Sequence, residues 1–171
     1  VNSRQSQAAL EFMKLRQDVL MERGREVTRE EIIRMRGRIQ KELSRESAGS
    51  YDIKLAAGGL EELEFTVQYL QLRHCRDNPS LLLQGTRAAI RRLRSAGILS
   101  VEDSRNLCDA YLFFRTAETI LRLRSEPVLK EGSDTLRVMS SFMELKKEGL
   151  LLETLHKRRK HVSSVWERAD G

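Results

Sequence analysis

The chain has 171 residues, of which 40% are hydrophobic, 33% are charged and only 5% are aromatic, and its formal net charge is +6. This length fits one domain with a buried core, and apolar residues that recur at helical spacing exclude a disordered chain. Leu, Arg and Glu are abundant, whereas β-branched and aromatic runs are scarce, so the composition favours helices over sheets. We therefore expect an all-α protein in which residues 1–171 form a single helical domain.

The positive net charge permits an anionic partner, but most of the charge is dispersed. The 31 basic residues alternate with 25 acidic ones, often three or four positions apart, which is typical of solvated helix faces with weak ion pairs. Two basic clusters stand out, one formed by Arg87, Arg91, Arg92 and Arg94 and the other by residues 156–161. A solvated face is the favoured interpretation of each, and a contact with a polyanion is the alternative.

The two cysteines, Cys75 and Cys108, are too few for a disulfide framework or a zinc site. Both lie in helical patterns and are predicted to be small core residues of a protein in a reducing compartment. No apolar run approaches the roughly 18 residues of a membrane span, and no signal-peptide pattern is visible, so we expect neither a membrane span nor a secreted chain. Because the first residue is Val rather than Met, we expect a piece of a longer, cytoplasmic protein.

The N-terminal part predicts two helices. The first covers residues 7–23 and ends at Gly24, a natural left-handed cap. The second begins at Thr28-Arg-Glu-Glu31, a capping box in which the threonine and the glutamate each bond a backbone amide. Its apolar residues one turn apart predict a single buried stripe, formed by Ile32, Met35, Ile39 and Leu43.

A connector and a third helix follow. Residues 51–54 are predicted to be extended, and Gly58-Gly59 allows a sharp turn before a helix over 60–74. On that helix a polar strip lies between two apolar stripes, and it consists of Glu61, Glu64, Gln68 and Gln71. The strip is predicted to face a groove or an internal polar network, and a partly solvated seam between helices explains it equally well.

Four more helices complete an up-and-down bundle of about seven helices with short loops. The fourth is predicted over 81–96, the fifth from a capping box at 100–103 to Ser125, the sixth from Ser133 or Asp134 to near Gly149, and the last over 150–169. Their predicted core positions include Leu107, Leu123, Met139, Phe142, Val165 and Trp166.

Catalytic motifs are missing from this sequence. It has no GxxxxGKS phosphate loop, no HExxH, no GxSxG and no Asp-x-Asp pair for two magnesium ions. His156 and His161 are five positions apart and make a poor metal pair on a helix. We therefore predict neither catalytic nor metal-binding residues in this chain.

The turn at Gly58-Gly59 is a candidate anion site. Glycines before a helix leave free amides at the positive end of the helix dipole, and Lys54 adds a cation nearby. An ordinary tight turn explains the two glycines equally well.

The same stretch resembles a family motif. Asp52-Ile-Lys54, followed by Gly58-Gly59-Leu-x-x-Leu-Glu64-Phe65-x-x-Gln68, is similar to the motif of the bacterial glutamine synthetase adenylyltransferases. Residues 30–43, 96–103 and 110–115 are also similar to landmarks of that family. The chain departs from the pattern at Ala56-Ala57 and at Glu61.

The resemblance implies a domain arrangement and partners. Enzymes of this family have two catalytic halves, which add and remove AMP at a tyrosine of glutamine synthetase, and the motif follows each nucleotidyltransferase domain. Residues 67–73 and the last helix look more like the part that follows the adenylylating half. Residues 1–47 would then be two helices leading from an absent catalytic domain, and residues 51–171 the motif-bearing bundle.

For the parent enzyme the resemblance implies ATP and magnesium as cofactors, with none expected in this chain. Its implied partners are glutamine synthetase, the PII signalling protein and the upstream nucleotidyltransferase domain, with no specific nucleic acid and no membrane. Uridylyltransferases of PII share similar pieces, but their phosphohydrolase His-Asp signature is not found in this sequence.

The motif residues are expected at the junction with the catalytic domain, and they are Asp52, Lys54, Gly58, Gly59, Glu64 and Gln68. We expect the strip to hold Lys54 or an arginine of a neighbouring helix, and Glu62 to lie on the outward face. The alternative function is that of a free-standing basic helical module that binds nucleic acid or protein. A nucleotidyltransferase domain encoded upstream of Val1 would exclude that alternative.

Overall fold

A computed structural model describes residues 3–24, 26–145 and 148–169. Within these ranges the chain forms seven α-helices: α1 (Ser3–Arg23), α2 (Arg29–Leu43), α3 (Leu60–His74), α4 (Thr86–Ser95), α5 (Val101–Leu123), α6 (Asp134–Phe142) and α7 (Glu148–Arg168). A short 3-10 helix covers Pro79–Leu81, and two strands, β1 (Ser50–Tyr51) and β2 (Leu129–Lys130), pair antiparallel. The predicted all-α class is confirmed.

The predicted start signals are present. Thr28 accepts a hydrogen bond from the amide of Glu31, whose carboxylate accepts from the amide of Thr28, so the capping box of α2 is complete. Ser100 accepts from the amide of Asp103 and Ser133 from the amide of Leu136. These side chains satisfy amides that have no partner within their own helix.

The fourth helix begins later than the sequence predicts. Residues 79–81 form the 3-10 turn and α4 begins at Thr86. The side-chain amide of buried Gln71 donates to the carbonyls of Leu81 and Leu83. These bonds satisfy the carbonyls of the loop, so the loop does not need to be helical. The local sequence does not reveal them, because Gln71 lies on another helix.

The sixth helix ends earlier than the sequence predicts. It stops at Phe142, followed by Glu144 in the left-handed conformation at φ 56°. The amide of Glu144 bonds the carbonyl of Ser141, and the amide of Leu145 bonds that of Ser140, which is the Schellman pattern. The prediction failed because this pattern usually has glycine at the left-handed position.

The main core lies between α3, α4, α5 and α7, with α6 packed on α5 and α7. Fully buried side chains from these helices include Leu63, Leu93, Phe114, Leu155 and Val162. A second small cluster contains Ile32, Tyr69 and Trp166 and joins α2 to α3 and α7.

Several predicted core residues are exposed. The predicted stripe of α2 is correct only in part, since Ile32 is buried and Ile39 is half-buried but Met35 and Leu43 are 43% and 59% exposed. Leu123 and Phe142 are 81% and 70% exposed, because each is the last residue of its helix. Periodicity identifies a helix face, but it does not show how far the neighbouring element extends along that face.

Cys75 is buried, Cys108 is half-buried, and both are free thiols. No helix in the part of the chain that the structure describes is long and apolar enough to cross a membrane.

Candidate functional site

The connector, defined here as residues 44–59, is folded around the carboxylate of Asp52. One oxygen of this carboxylate accepts from the amide of Arg45 at 3.0 Å, and the other accepts from the amides of Lys54 at 3.1 Å and Leu55 at 2.9 Å. The side chain is 4% exposed. A buried carboxylate with three amide donors is well satisfied, so Asp52 organises the turn of the Asp-Ile-Lys motif.

Arg159 of α7 joins the connector to the end of the bundle. Its guanidinium donates to both oxygens of Glu46, at 2.6 and 3.2 Å, and to the carbonyl of Asp52 at 2.6 Å. Glu46 also accepts from the amide of Asp52. Such a two-pronged pair fixes orientation as well as distance, so the connector has one defined position on α7.

Gly58 lies directly against the backbone of α7. Its φ is +70°, and a Cβ at this position would overlap the backbone of Arg159. At Gly59 a Cβ would lie 2.8 Å from the carbonyl oxygen of Ala56. The two glycines are therefore required by close backbone approach and by a left-handed turn.

The proposed anion site at this turn is wrong. The amides of Gly59, Leu60 and Glu61 donate to the carbonyls of residues 56, 53 and 54, respectively, and the amide of Gly58 donates to the carboxylate of Glu62. Four donors that the anion would need are thus occupied within the chain. The ordinary tight turn, which the sequence left open, is the correct interpretation.

Glu62 is the buried carboxylate of α3, contrary to its predicted position on the outward face. It is 4% exposed, forms an ion pair with Arg36 of α2 and accepts from the hydroxyl of Ser163 on α7 at 2.9 Å. Its arc of α3, which includes buried Thr66 and Tyr69, faces α7 and α2. Glu62 therefore connects α2, α3, α7 and the glycine turn.

The ring of Trp166 contacts the guanidinium groups of two arginines of α2. The guanidinium carbons of Arg29 and Arg36 lie 5.2 and 4.7 Å from its ring centroid, within cation–π range. Arg29 also donates to the carbonyls of Trp166 and Glu167 at the end of α7. With the ring of Tyr69 packed edge-on at 5.5 Å, these contacts hold α2 on the bundle.

The predicted junction residues of the polar strip lie on a more open face. Lys54 is exposed and its Nζ lies 3.4 Å from Glu61, so the expected pairing of Lys54 with the strip is made through Glu61. Gln68 is exposed and Glu64 is half-buried. Burial raises the pKa of Glu64, with Glu118 and Glu61 acting in the same direction and Arg115 and Lys54 opposing.

The two basic clusters differ in the structure. The arginines of α4 are exposed, as predicted for a solvated face. In the second cluster Arg159 is 8% exposed, so the solvated-face interpretation is wrong for this residue. Among the described residues no group of three or more His, Cys, Asp or Glu side chains is arranged to hold a metal ion.

Sequence reasoning missed the residues that pair with the connector and with Glu62, namely Glu46, Arg159, Arg36 and Ser163. Glu46 and Arg159 are 113 positions apart, and no local pattern pairs them. The signal available in the sequence was the motif itself. A turn of unusual backbone conformation beside a buried helix requires hydrogen-bond partners from distant parts of the chain.

Residues 27–168, which include α2, the connector, α3 and all of α7, match the sequence model of a family described as GlnD PII-uridylyltransferase. The chain belongs to this family.

Curated relatives carry a different enzyme name. The bifunctional glutamine synthetase adenylyltransferase/adenylyl-removing enzyme of Nitrosococcus oceani is 34% identical over 124 residues, which cover 71% of this chain and 13% of that protein. The same-named enzyme of Cutibacterium acnes is 36% identical over 66% of this chain and 12% of its own length. That of Mycobacterium tuberculosis is 31% identical over 79% of this chain and 15% of its own length.

The resemblance based on the motif is confirmed at the level of the family, and these relatives have the adenylyltransferase name that the motif indicated. The chain spans 12–15% of the length of these relatives.

Proposed function

We propose that this chain is the helical part of a glutamine synthetase adenylyltransferase and follows the nucleotidyltransferase domain that transfers AMP from ATP to a tyrosine of glutamine synthetase. The chain supports that domain and contributes to the recognition of glutamine synthetase, with PII as a second partner of the parent. ATP and magnesium belong to the parent's catalytic domain. The names of the relatives support the adenylyl rather than the uridylyl reaction.

The observation that carries this proposal is the connector network, defined as Glu46, Asp52, Glu62, Arg36 and Arg159. Buried polar contacts hold the connector and α2 on α3 and α7. A catalytic domain joined ahead of α2 would thus be fixed relative to the bundle, because α2 is attached by ion pairs and cation–π contacts rather than by a free linker.

The exposed surfaces of α1 and α2 are consistent with a further domain that packs against them. Large apolar side chains on these two helices are exposed, including Leu10, Phe12, Leu15, Ile33 and Leu43. Exposed apolar groups of this extent mark contact surfaces. The relatives are several times longer than this chain, which is consistent with a further domain of the same protein as the occupant.

The test is nucleotide transfer by the full-length parent. We expect magnesium-dependent incorporation of labelled AMP into glutamine synthetase and no incorporation of UMP into PII. The isolated chain should transfer neither nucleotide, because its sequence has no Asp-x-Asp pair to hold two magnesium ions. Transfer of UMP to PII by the parent would contradict the proposal, and AMP transfer by the isolated chain would contradict its supporting role.

A second candidate, the free-standing basic binding module, is favoured by one observation. Helix α4 contains four exposed arginines and no acidic residue, and such a face suits a polyanion. The distributed acidic residues of the remaining chain argue against tight binding.

A further inference from the structure

A groove between α5 and α7 has a volume of about 580 Å³. Its α5 wall carries Glu102 and Asp109, and its α7 wall carries Lys157, Arg158, Lys160 and His161. The groove is separate from the connector network, since it shares none of those residues. One wall is acidic and the other is basic.

Arg158 is the unusual member of this groove. It is half-buried, and its guanidinium carbon lies 5.3 Å from the ring centroid of Phe113. Its Nε is buried without a hydrogen-bond acceptor, and within the described ranges its guanidinium forms no hydrogen bond or ion pair. By contrast, the neighbouring Arg159 has three acceptor contacts.

Burial lowers the pKa of Arg158, and the charge of Asp109 opposes this shift without forming an ion pair with it. A guanidinium that has lost part of its water and gained no paired anion is less stable than one fully in solvent. The guanidinium carbon lies over the ring of Phe113, and the N–H donors are the groups that can receive an anion.

We propose that the groove between α5 and α7 is a binding site for a carboxylate, with Arg158 as its anchor and Lys157 and His161 beside it. The planar donor fork of arginine matches a carboxylate in two parallel hydrogen bonds. A phosphate dianion is disfavoured because Glu102 and Asp109 repel a second negative charge. The carboxylate comes either from a small metabolite or from an acidic side chain of a protein segment.

The test follows the Nε–H resonance of Arg158 in the 15N-labelled chain. The probes are sodium acetate, a blocked peptide with one glutamate, and sodium phosphate, with sodium chloride at equal ionic strength as the reference. We expect acetate or the peptide to shift this resonance saturably and to bind more tightly than phosphate. A peptide that binds more tightly than acetate would assign the site to a protein segment, and acetate at least as tight would assign it to a small metabolite.

The variants separate anchoring from general charge. Arg158→Gln should weaken carboxylate binding at least about tenfold, since hydrogen bonds to charged groups are worth this factor or more. Binding to this variant is followed through the resonances of groove residues that it retains, such as His161. Arg158→Lys keeps the charge but loses the fork, so its binding should also weaken, whereas Arg94→Gln on the exposed face of α4 should bind normally.

Three results would overturn the proposal: no saturable shift beyond that of chloride, tighter binding of phosphate than of either carboxylate, or equal binding by the native chain and a folded Arg158→Gln variant. None of these results depends on nucleotide transfer, so the proposed function of the parent can fail or hold independently.

Discussion

At the scale of single residues, Glu62 and Glu64 show how different two nearby carboxylates of one helix are. Glu62 is buried and has three partners from three parts of the chain, namely Arg36, Gly58 and Ser163. Glu64 is half-buried and lies among charges of both signs. The sequence assigned the important role to Glu64, and the structure gives the larger structural role to Glu62.

The first prediction compares these two carboxylates. Glu62→Gln should destabilise the protein by about 3 kcal/mol, because it leaves Arg36 without its buried counterion. Glu64→Gln should not destabilise the protein, because Glu64 has no comparable ion pair and burial disfavours its charged form. Urea unfolding of both variants at pH 7 measures the difference, and equal midpoints for the two would contradict the structure.

The second prediction concerns the pH dependence at Glu64. Its pKa in the folded state is raised above the usual value of a glutamate, chiefly by burial. The folded state therefore binds the proton more tightly than the unfolded state, and the resulting stability is present at low pH and lost as the pH rises through the folded pKa. The Glu64→Gln variant does not lose this stability as the pH rises, because glutamine does not titrate.

We therefore expect the stability of Glu64→Gln, relative to the native chain, to increase between pH 4.5 and pH 7. Urea unfolding at several pH values measures this. Gln68→Ala, which changes an exposed uncharged residue of the same strip, should give a difference from the native chain that does not vary with pH. A relative stability that decreases with pH would show that Glu64 is better stabilised as a charged group in the folded state.

At the scale of elements, the contact between the glycine turn and α7 determines how the connector is placed. Gly58 allows the turn to approach the backbone of Arg159, and the side chain of Arg159 then bonds Glu46 and the carbonyl of Asp52. The Asp-Ile-Lys and Gly-Gly motifs are thus two halves of one packing arrangement. Their role within this chain is to seat the connector on the last helix.

The third prediction uses two left-handed glycines as a matched pair. Gly58→Ala places a methyl group on the backbone of α7, whereas Gly97→Ala at φ +75° meets nothing within 4 Å. Gly97→Ala should cost about 1–2 kcal/mol from the left-handed backbone alone. Gly58→Ala should cost clearly more, because the turn or α7 must also move.

Urea unfolding of both glycine variants measures these costs. The signals of Glu46 and Asp52 in an amide NMR spectrum report separately whether the connector has left α7. If both variants lose the same stability and the connector signals do not move, the close approach at Gly58 has no energetic importance.

At the scale of the whole molecule, the net charge and the distribution of the acidic residues favour different partners. The net charge of +6 and the arginines of α4 attract polyanions, but acidic residues are spread over the other helices. The polar contacts of the connector network are made with the chain's own helices. These features favour a supporting domain over a nucleic-acid reader.

The fourth prediction therefore concerns DNA. The chain should bind duplex DNA weakly and without sequence preference, and the affinity should fall steeply as salt rises, because only phosphate contacts contribute. Fluorescence anisotropy with two unrelated duplexes at low and physiological salt measures this, and an Arg91→Gln/Arg94→Gln variant serves as the control. Tight, selective binding at physiological salt would favour the free-standing module instead.

The sequence by itself determined the helical class, most of the helix starts and the place of the motif. These features depend on local chemistry: apolar spacing selects a helix, and Thr28, Ser100 and Ser133 cap the first turns with their own side chains. The bounds of α3 were predicted correctly for the same reason.

Only the tertiary structure decided which polar residues are buried and what they bind. Glu62 and Glu64 are both glutamates on one helix, and their difference arises because α7 and α2 pack over one arc of that helix. Arg158 and Arg159 are adjacent in sequence, yet the latter contacts the connector and the former the groove beside α5. Burial and pairing depend on partners that are distant along the chain, so no local pattern contains them.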